Sequence, residues 1–404
     1  MTLSSLLLAL LIAPSVRSSE PSNPPSQIHL SVGLDPSKMN VQWSSAQNLG
    51  ESHVLYGSSA DDLSSKVLHK VGDDTSGWSD VYQYKAVPET GPIGEPLRFG
   101  IWGDMGTDNA QILDSVKKEV EKGNFDMILH VGDFAYNMND DEGRNGDAFM
   151  NSIQPMAATL PYMVDAGNHE AAYDFSHYTE RFRNMPANAE DTPTVVTGNG
   201  EAPNNWFYSH DFGNVHFVAI STEIYFDYPD LVEAQYNFVS QDLASVDRSV
   251  TPWVIVHGHR PLYCSCDSDC DSSADTVRLG PDGKFGMEEL LHSHGVDMYI
   301  CGHEHNYERM YDVYNGTSTL ATVNPPSTVY VVTGDAGGPE EHEKFDRPKP
   351  DRAAFRTDAY GYSRMTVFND THLYWEQVET DTDAGVEDVV IDETWIVVEE
   401  HGPF

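Results

Sequence analysis

From Leu97 onward the chain alternates short apolar runs with segments whose apolar residues recur at helical spacing. Leu97–Trp102, Met127–Val131, Tyr162–Ala166, Trp253–Val256 and Val296–Cys301 are too short for stable helices and read as buried strands. Between them, Asn109–Lys122 places Ile112, Leu113, Val116 and Val120 on one face and stops at Gly123. Asp230–Val246 and Lys284–His294 repeat that pattern, the latter closed by Gly295. Strands alternating with helices predict an α/β domain. Upstream, residues 27–87 alternate in a period of two over Gln27–Val32, Lys38–Trp43, His53–Tyr56 and Ser79–Lys85, with no helical period, so a small β-sandwich is expected there. Pro88–Pro96 reads as the linker, and beyond Ser327 the chain is strand-rich again, with a hairpin turning at Asn369-Asp370.

Each of the five apolar runs of the α/β part is followed at once by a polar segment: Gly103–Gly106, Gly132–Tyr136, Gly167–Glu170, His259–Pro261 and Gly302–His305. Side chains at such positions project from the carboxyl edge of a sheet, where α/β folds build their sites. Asp104 and Asp133 taken singly equally suit helix N-caps, and a lone His169 suits a turn. Five such segments in series point instead to a shared active site with ligands for two metal ions. Asp104 and Asp133 offer carboxylates, Asn168 a neutral oxygen, and His303 and His305 imidazoles that can reach adjacent ions. His259 completes the set, with His257 as the alternative two residues earlier; the His-x-Pro context favours His259. His169 points into the same cleft without being needed as a ligand.

Composition narrows the classes. The chain has 404 residues and a formal charge of −41, from 64 acidic against 23 basic residues. Nothing in that balance could neutralise a run of nucleic-acid phosphates or hold the chain to an anionic membrane. Residues 1–19 read as a signal peptide: Leu6–Ile12 is an apolar core, Pro14 breaks it, and Val16 and Ser18 precede cleavage near Ser19. No run is long enough to span a bilayer. The expected organisation is a leader (1–19), a β domain with linker (20–96) and a catalytic domain (97–404), the mature protein being secreted or lumenal. Cys264, Cys266 and Cys270 crowd an Asp/Ser-rich loop and Cys301 lies in a strand. A Cys264–Cys270 disulfide is the favoured reading for an exported chain, against a zinc knuckle that lacks a fourth ligand. Asn315 and Asn369 open glycosylation acceptor triplets.

The order Asp-x-Gly, Gly-Asp-x-x-Tyr, Gly-Asn-His-Glu, His-x-Pro, Gly-His-x-His resembles the purple acid phosphatases, with Asn306–Arg309, Thr371–Gln377 and His259–Cys264 closest to the long animal-type and plant-like members. The resemblance runs from about Gln27 to the C-terminus. It implies a fibronectin-like N-terminal sandwich before a four-layer α/β/β/α metallophosphoesterase domain. It further implies a ferric ion bound by Asp104, Tyr136 and His305, and a divalent zinc, iron or manganese ion bound by Asn168, His259 and His303, with Asp133 bridging. Related two-metal enzymes carry Asp-x-His in the first segment. Here Gly106 stands at the third position, and Tyr136 supplies a phenolate, a hard donor suited to Fe(III). The implied chemistry is hydrolysis of phosphate monoesters by a hydroxide shared between the ions, with His169 contacting phosphate or protonating the leaving alcohol. Small phosphate esters are the implied partners, and a homodimer is a compatible assembly.

The chain departs from the family pattern twice. No histidine occurs between His259 and His292, where members place one or two that handle substrate. The N-terminal module is also short, Val67–Gly77 leading straight to Trp78–Val81, so a complete seven-stranded sandwich is not expected. Two rivals stand beside the phosphatase reading: a phosphodiesterase or nucleotide hydrolase with two divalent ions, which Gly106 and Tyr136 oppose, and a non-catalytic binding glycoprotein, which the filled ligand positions oppose.

Overall fold

The computed structural model describes residues 24–35, 38–45, 53–58, 66–74, 77–186, 195–197, 200–202, 204–266, 270–340, 342–382 and 384–404. The leader expected over residues 1–19 lies outside the described residues. All five apolar runs are strands: Leu97–Trp102, Met127–His130, Tyr162–Val164, Trp253–His257 and Met298–Cys301. Every residue of the last four is buried, which explains why they read as unbroken apolar runs rather than alternating ones.

These strands are divided between two sheets. One has six strands in the order Val386–Val397, His372–Asp381, Gly361–Val367, Leu97–Trp102, Met127–His130, Tyr162–Val164, the last three parallel. The other has seven, in the order Tyr208–Phe212, Val215–Ala219, Trp253–His257, Met298–Cys301, Val329–Thr333, Tyr307–Asp312, Ala353–Thr357. In it the four strands from Val215–Ala219 to Val329–Thr333 are parallel. The sheets share one core, in which Phe99 of the first meets Phe212 and Phe217 of the second edge-on at 5.6 and 5.3 Å. Helices Leu113–Glu121, Arg144–Ala157, Val232–Ser245 and Met287–Ser293 add Val116, Phe149, Val239 and Leu291 to that core. The result is the expected four-layer arrangement.

Among the helices that differ from the sequence reading, two bear directly on the packing. The first begins at Leu113 rather than Asn109, because Asn109 is recruited elsewhere: its amide donates to Tyr360 Oη (3.2 Å) and Gly338 O (3.4 Å). Arg144–Ala157 was not anticipated, since Gly146 and Pro155 interrupt its pattern. Gly146 is needed there because a Cβ would strike the Arg181 side chain and Met138 O.

The N-terminal stretch forms two small sheets, Ser26–Val32 with Met39–Ser44, and His53–Ser58, Lys66–Asp73, Gly77–Trp78 and Tyr82–Lys85. Lys66–Asp73 is a strand not anticipated, and the expected Ser79–Lys85 run is shortened to Tyr82–Lys85, with a separate two-residue strand Gly77–Trp78 before it. Ile28 and Val71, with Val41, Trp43, Val54 and Tyr82 around them, join both sheets in a minor core that includes Ala158. This reduced sandwich leans on the larger domain: Gln154 accepts from Ile28 N (3.2 Å) and donates to Tyr82 Oη (2.7 Å), and Val32 enters the main core.

Candidate metal centre

The polar groups gather where the parallel strands stop. The six-stranded sheet releases Asp104, Asp133, Tyr136, Asn168 and His169 at its carboxyl edge, and the seven-stranded sheet releases His259, His303 and His305. Oxygen donors from one sheet therefore face imidazoles from the other. Asp104, Asp133, Tyr136 and His303 hold φ of 59, 51, 49 and 71°. This left-handed region costs a non-glycine residue about 1–3 kcal/mol and is retained where surrounding structure enforces it.

The donors sort into two groups. Tyr136 Oη lies 3.3 Å from Asp104 Oδ1 and 2.5 Å from His305 Nε2, which is itself 3.5 Å from Asp104 Oδ1. In the second group, His259 Nε2 lies 3.2 Å from Asp133 Oδ2, 3.1 Å from Asn168 Oδ1 and 3.2 Å from His303 Nδ1. The His303 backbone N–H donates to Asp104 Oδ2 (2.9 Å) and ties the groups together. His257 faces away, its Nδ1 paired with Asp165 Oδ2 at 2.7 Å. Glycines make the crowding feasible: a Cβ on Gly167 would strike Asp133 Oδ1, and one on Gly302 would strike Asp104 Oδ2.

Electrostatics test whether cations fit this pocket. Burial pushes the Asp104 carboxyl up against the pull of His305 and His259. Burial also acts to raise Asp133, but His259 and His169 beside it win and hold it below the ordinary carboxylate range. Against burial, Asp133 pushes His259 up to about 10, and Asp104 pushes His305 up to about 9. Burial, His259 and Arg260 push His303 well down. Burial, with Asp104 adding to it, drives the Tyr136 phenol far above its usual value. His259 and His305 here must take up protons to offset buried carboxylates, while His303 is held neutral beside them. Multivalent cations in the same space would offset those carboxylates instead, so the residues fit a metal pair.

His169 is half-way between buried and exposed. Its backbone N–H donates to Asp133 Oδ1 (2.9 Å), its Nδ1 meets Asn137 Oδ1 (3.1 Å), and its Nε2 lies 3.4 Å from Glu340 Oε1. Its ring packs on Tyr136 with centroids 4.4 Å apart.

Several positioning groups escaped the sequence reading. Glu170 accepts from the backbone N–H groups of Asp133 (2.9 Å), Phe134 (3.1 Å) and Gly167 (2.9 Å), clamping two ligand loops together. Burial and Asp133 push its carboxyl up to about 8. Both oxygens of buried Glu223 grip Arg260, whose Nη1 reaches His303 Nε2 at 2.8 Å. A sixth loop, after strand Val329–Thr333, brings Glu340 to His169 and Glu343 to the His305 N–H, and Gly338 N donates to Asp104 O (2.7 Å). Its Gly334-Asp335 opening repeats the strand-end pattern of the other five and could have been found by the same rule. Cys264 and Cys270 are disulfide-bonded, and Cys270 opens helix Cys270–Leu279 instead of lying in a loop.

Residues 97–307 match the family model of calcineurin-like phosphoesterases, and residues 327–393 match that of the iron/zinc purple acid phosphatase-like protein C region. Acid phosphatase type 7 of Danio rerio is 41% identical over 348 residues, covering 81% of this chain and 74% of that protein. The Homo sapiens protein of the same name is 38% identical over 335 residues, covering 80% and 72%. The structure of a purple acid phosphatase from yellow lupin seeds superposes with a TM-score of 0.72 at 24% identity, covering 93% of this chain and 75% of that one. Membership of this group implies a binuclear metal centre. The chain belongs to the purple acid phosphatase family of calcineurin-like phosphoesterases, and it is a phosphatase.

Proposed function

We propose that the protein is a secreted enzyme that hydrolyses phosphate monoesters at an Fe(III)–M(II) centre. Asp104, Tyr136 and His305 would hold the ferric ion, Asn168, His259 and His303 a divalent zinc, iron or manganese ion, and Asp133 both. The observation that carries this reading is the meeting of Tyr136 Oη with Asp104 Oδ1 and His305 Nε2, where the Asp104-x-Gly106 motif itself offers no imidazole. A phenol held this firmly in its protonated form loses its proton to solvent only where a strongly charged cation takes its place, and two carboxylates with a phenolate are hard donors. When bound, the metal pair supplies Lewis-acid activation of the phosphate and of the attacking water.

The side chains around the pair do the rest. Asn137 Oδ1 accepts the Nδ1 proton of His169, which leaves Nε2 directed at the cleft mouth beside Glu340. From there Nε2 would pass a proton to the departing alcohol, with Glu340 orienting the ring. The loop after His259 offers no histidine, so His169 carries this task without the usual partners. The sequence of residues 1–19 and the Cys264–Cys270 disulfide support export.

Metal analysis with a visible spectrum tests the proposal. One iron, one second metal and a purple band lost in Tyr136→Phe are expected, with aryl phosphate monoesters turned over faster than diesters. Two zinc ions without colour would overturn the ferric assignment, and preferential diester cleavage would overturn the substrate class.

A further inference from the structure

We infer that Cys264, Cys266, Cys270 and Glu304 form a second, sulfur-rich metal site that takes a tetrahedral ion such as Zn²⁺ once the Cys264–Cys270 disulfide is reduced. All four residues are buried, and one ligand atom from each lies within 4.8 Å of all the others. Zinc–sulfur bonds of about 2.3 Å in a tetrahedron set neighbouring sulfurs about 3.8 Å apart, so the Cys264 and Cys270 sulfurs must turn away from each other once their bond is broken, while Cys266 and Glu304 already stand beside them. Glu304 Oε2 is 3.0 Å from Cys266 Sγ, and Oε1 is 3.8 Å from Cys264 Sγ. The Cys-x-Cys-x-x-x-Cys spacing alone lacks a fourth ligand. The fold supplies it from the Gly302–His305 turn.

A disulfide uses two sulfurs. The third cysteine and the carboxylate aimed at the same point are more donors than that bond requires, and the rest of the cluster is apolar, with Ala274 and Phe345. The segment is also fixed independently of the bond. Arg352 donates to Cys264 O (2.9 Å), Arg356 to Ser265 O (3.3 Å) and Oγ (3.1 Å), and Ser265 Oγ to Glu308 Oε1 (2.6 Å). Reduction therefore leaves the Cys264–Ser265 backbone in place while the freed sulfurs separate by side-chain rotation, and two guanidiniums flank a site of net negative charge.

The chemistry balances simply. Two molecules of a small thiol become their disulfide while Cys264 and Cys270 gain the two hydrogens. Zn²⁺ then displaces the thiol protons to solvent. In the oxidised state only Cys266 and Glu304 remain as donors, too few to hold the ion. Because Glu304 stands between His303 and His305, occupation of the sulfur site braces the turn that carries both imidazoles.

The test uses the full chain with its catalytic metals in place, oxidised or reduced with a phosphine that is then removed, and titrated with Co²⁺. The reduced protein is expected to bind one more Co²⁺ per chain than the oxidised protein, with a thiolate-to-cobalt charge-transfer band and tetrahedral d–d absorption. Nitrogen and oxygen ligation at the catalytic centre gives no such band, so the signal is separate from it. Cys266→Ser should weaken binding at least about tenfold and diminish the band, whereas Cys301→Ser leaves both unchanged. Equal cobalt spectra for oxidised and reduced wild type, a comparison that needs no variant, would overturn the proposal, as would an undiminished band in Cys266→Ser.

Discussion

Two histidine–carboxylate clusters of this molecule, one half-buried and one buried, behave differently. On the seven-stranded sheet, His216 lies between Asp211 and Asp242, with Nδ1–Oδ1 at 2.7 Å and Nε2–Oδ2 at 2.8 Å. Asp211 is its cross-strand partner, and Asp242 comes from helix Val232–Ser245. At the metal centre, one nitrogen of His259 faces Asp133, Asn168 and a nitrogen of His303 together. Carboxylates raise both histidines against burial, His216 to about 9 and His259 to about 10. Perturbed titration alone therefore does not mark a site. What marks it is direction: the atoms around His216 pair off one to one, whereas those around His259 are aimed at a common point.

Removing one carboxylate from each cluster separates the two most clearly. Asp133→Ala should lower kcat on an aryl phosphate by about a thousandfold, the equivalent of roughly 4 kcal/mol of transition-state stabilisation. Asp242→Ala should leave kcat of the folded protein within about twofold. Equal losses in the two variants would erase the distinction.

Stability should reverse the ranking. Stripping the metals from wild type is expected to lower its unfolding free energy by as much as about 4 kcal/mol at a thousandfold excess over Kd, seen as a fall in Tm. Asp242→Ala should show the same metal response and Asp133→Ala almost none. Separately, Asp242→Ala should cost about 2–3 kcal/mol in denaturant titration, below the roughly 3–5 kcal/mol for fully buried pairs because the cluster keeps some exposure to solvent.

The pH dependence of the structural cluster has a definite sign. His216 titrates near 9 in the folded chain against 6.5 when unfolded, so its contribution is complete below pH 6.5 and disappears as pH rises through about 9. The stability gap between wild type and His216→Phe should be roughly 3 kcal/mol in mild acid and close to nothing above about pH 9. A gap that grows with pH would contradict the ion-pair assignment.

The smallest effect concerns space. Gly338→Ala sets a Cβ against Tyr136 Oη and should reduce kcat about tenfold while altering the visible band. Gly316→Ala meets nothing within 4 Å and should leave kcat and the band intact, at about 1 kcal/mol of stability for its positive φ.

Much of this was readable from local pattern. The apolar runs became strands because burial on both faces demands continuous hydrophobicity, and the hairpin at Asn369-Asp370 joins Gly361–Val367 to His372–Asp381 as expected. Helix Arg144–Ala157 is hidden because Gly146 serves packing against Arg181 and Pro155 lies within the last turn, both against local helix propensity. Glu170 was visible as a residue but not as a clamp, since its three donors lie on two loops.

Local pattern alone puts the donors at strand ends: Asp104, Asp133, Tyr136, Asn168, His259, His303 and His305, each in a short turn bounded by a buried strand. Strand periodicity and turn chemistry are local, so a linear reading captures them. The folded chain alone brings oxygen donors from one sheet to imidazoles from the other, sets His259 rather than His257 against Asp133, and turns Glu304 toward three sulfurs. Those outcomes depend on the packing of two sheets and on strand order, which bring together residues far apart in the chain, and no local pattern encodes that distance.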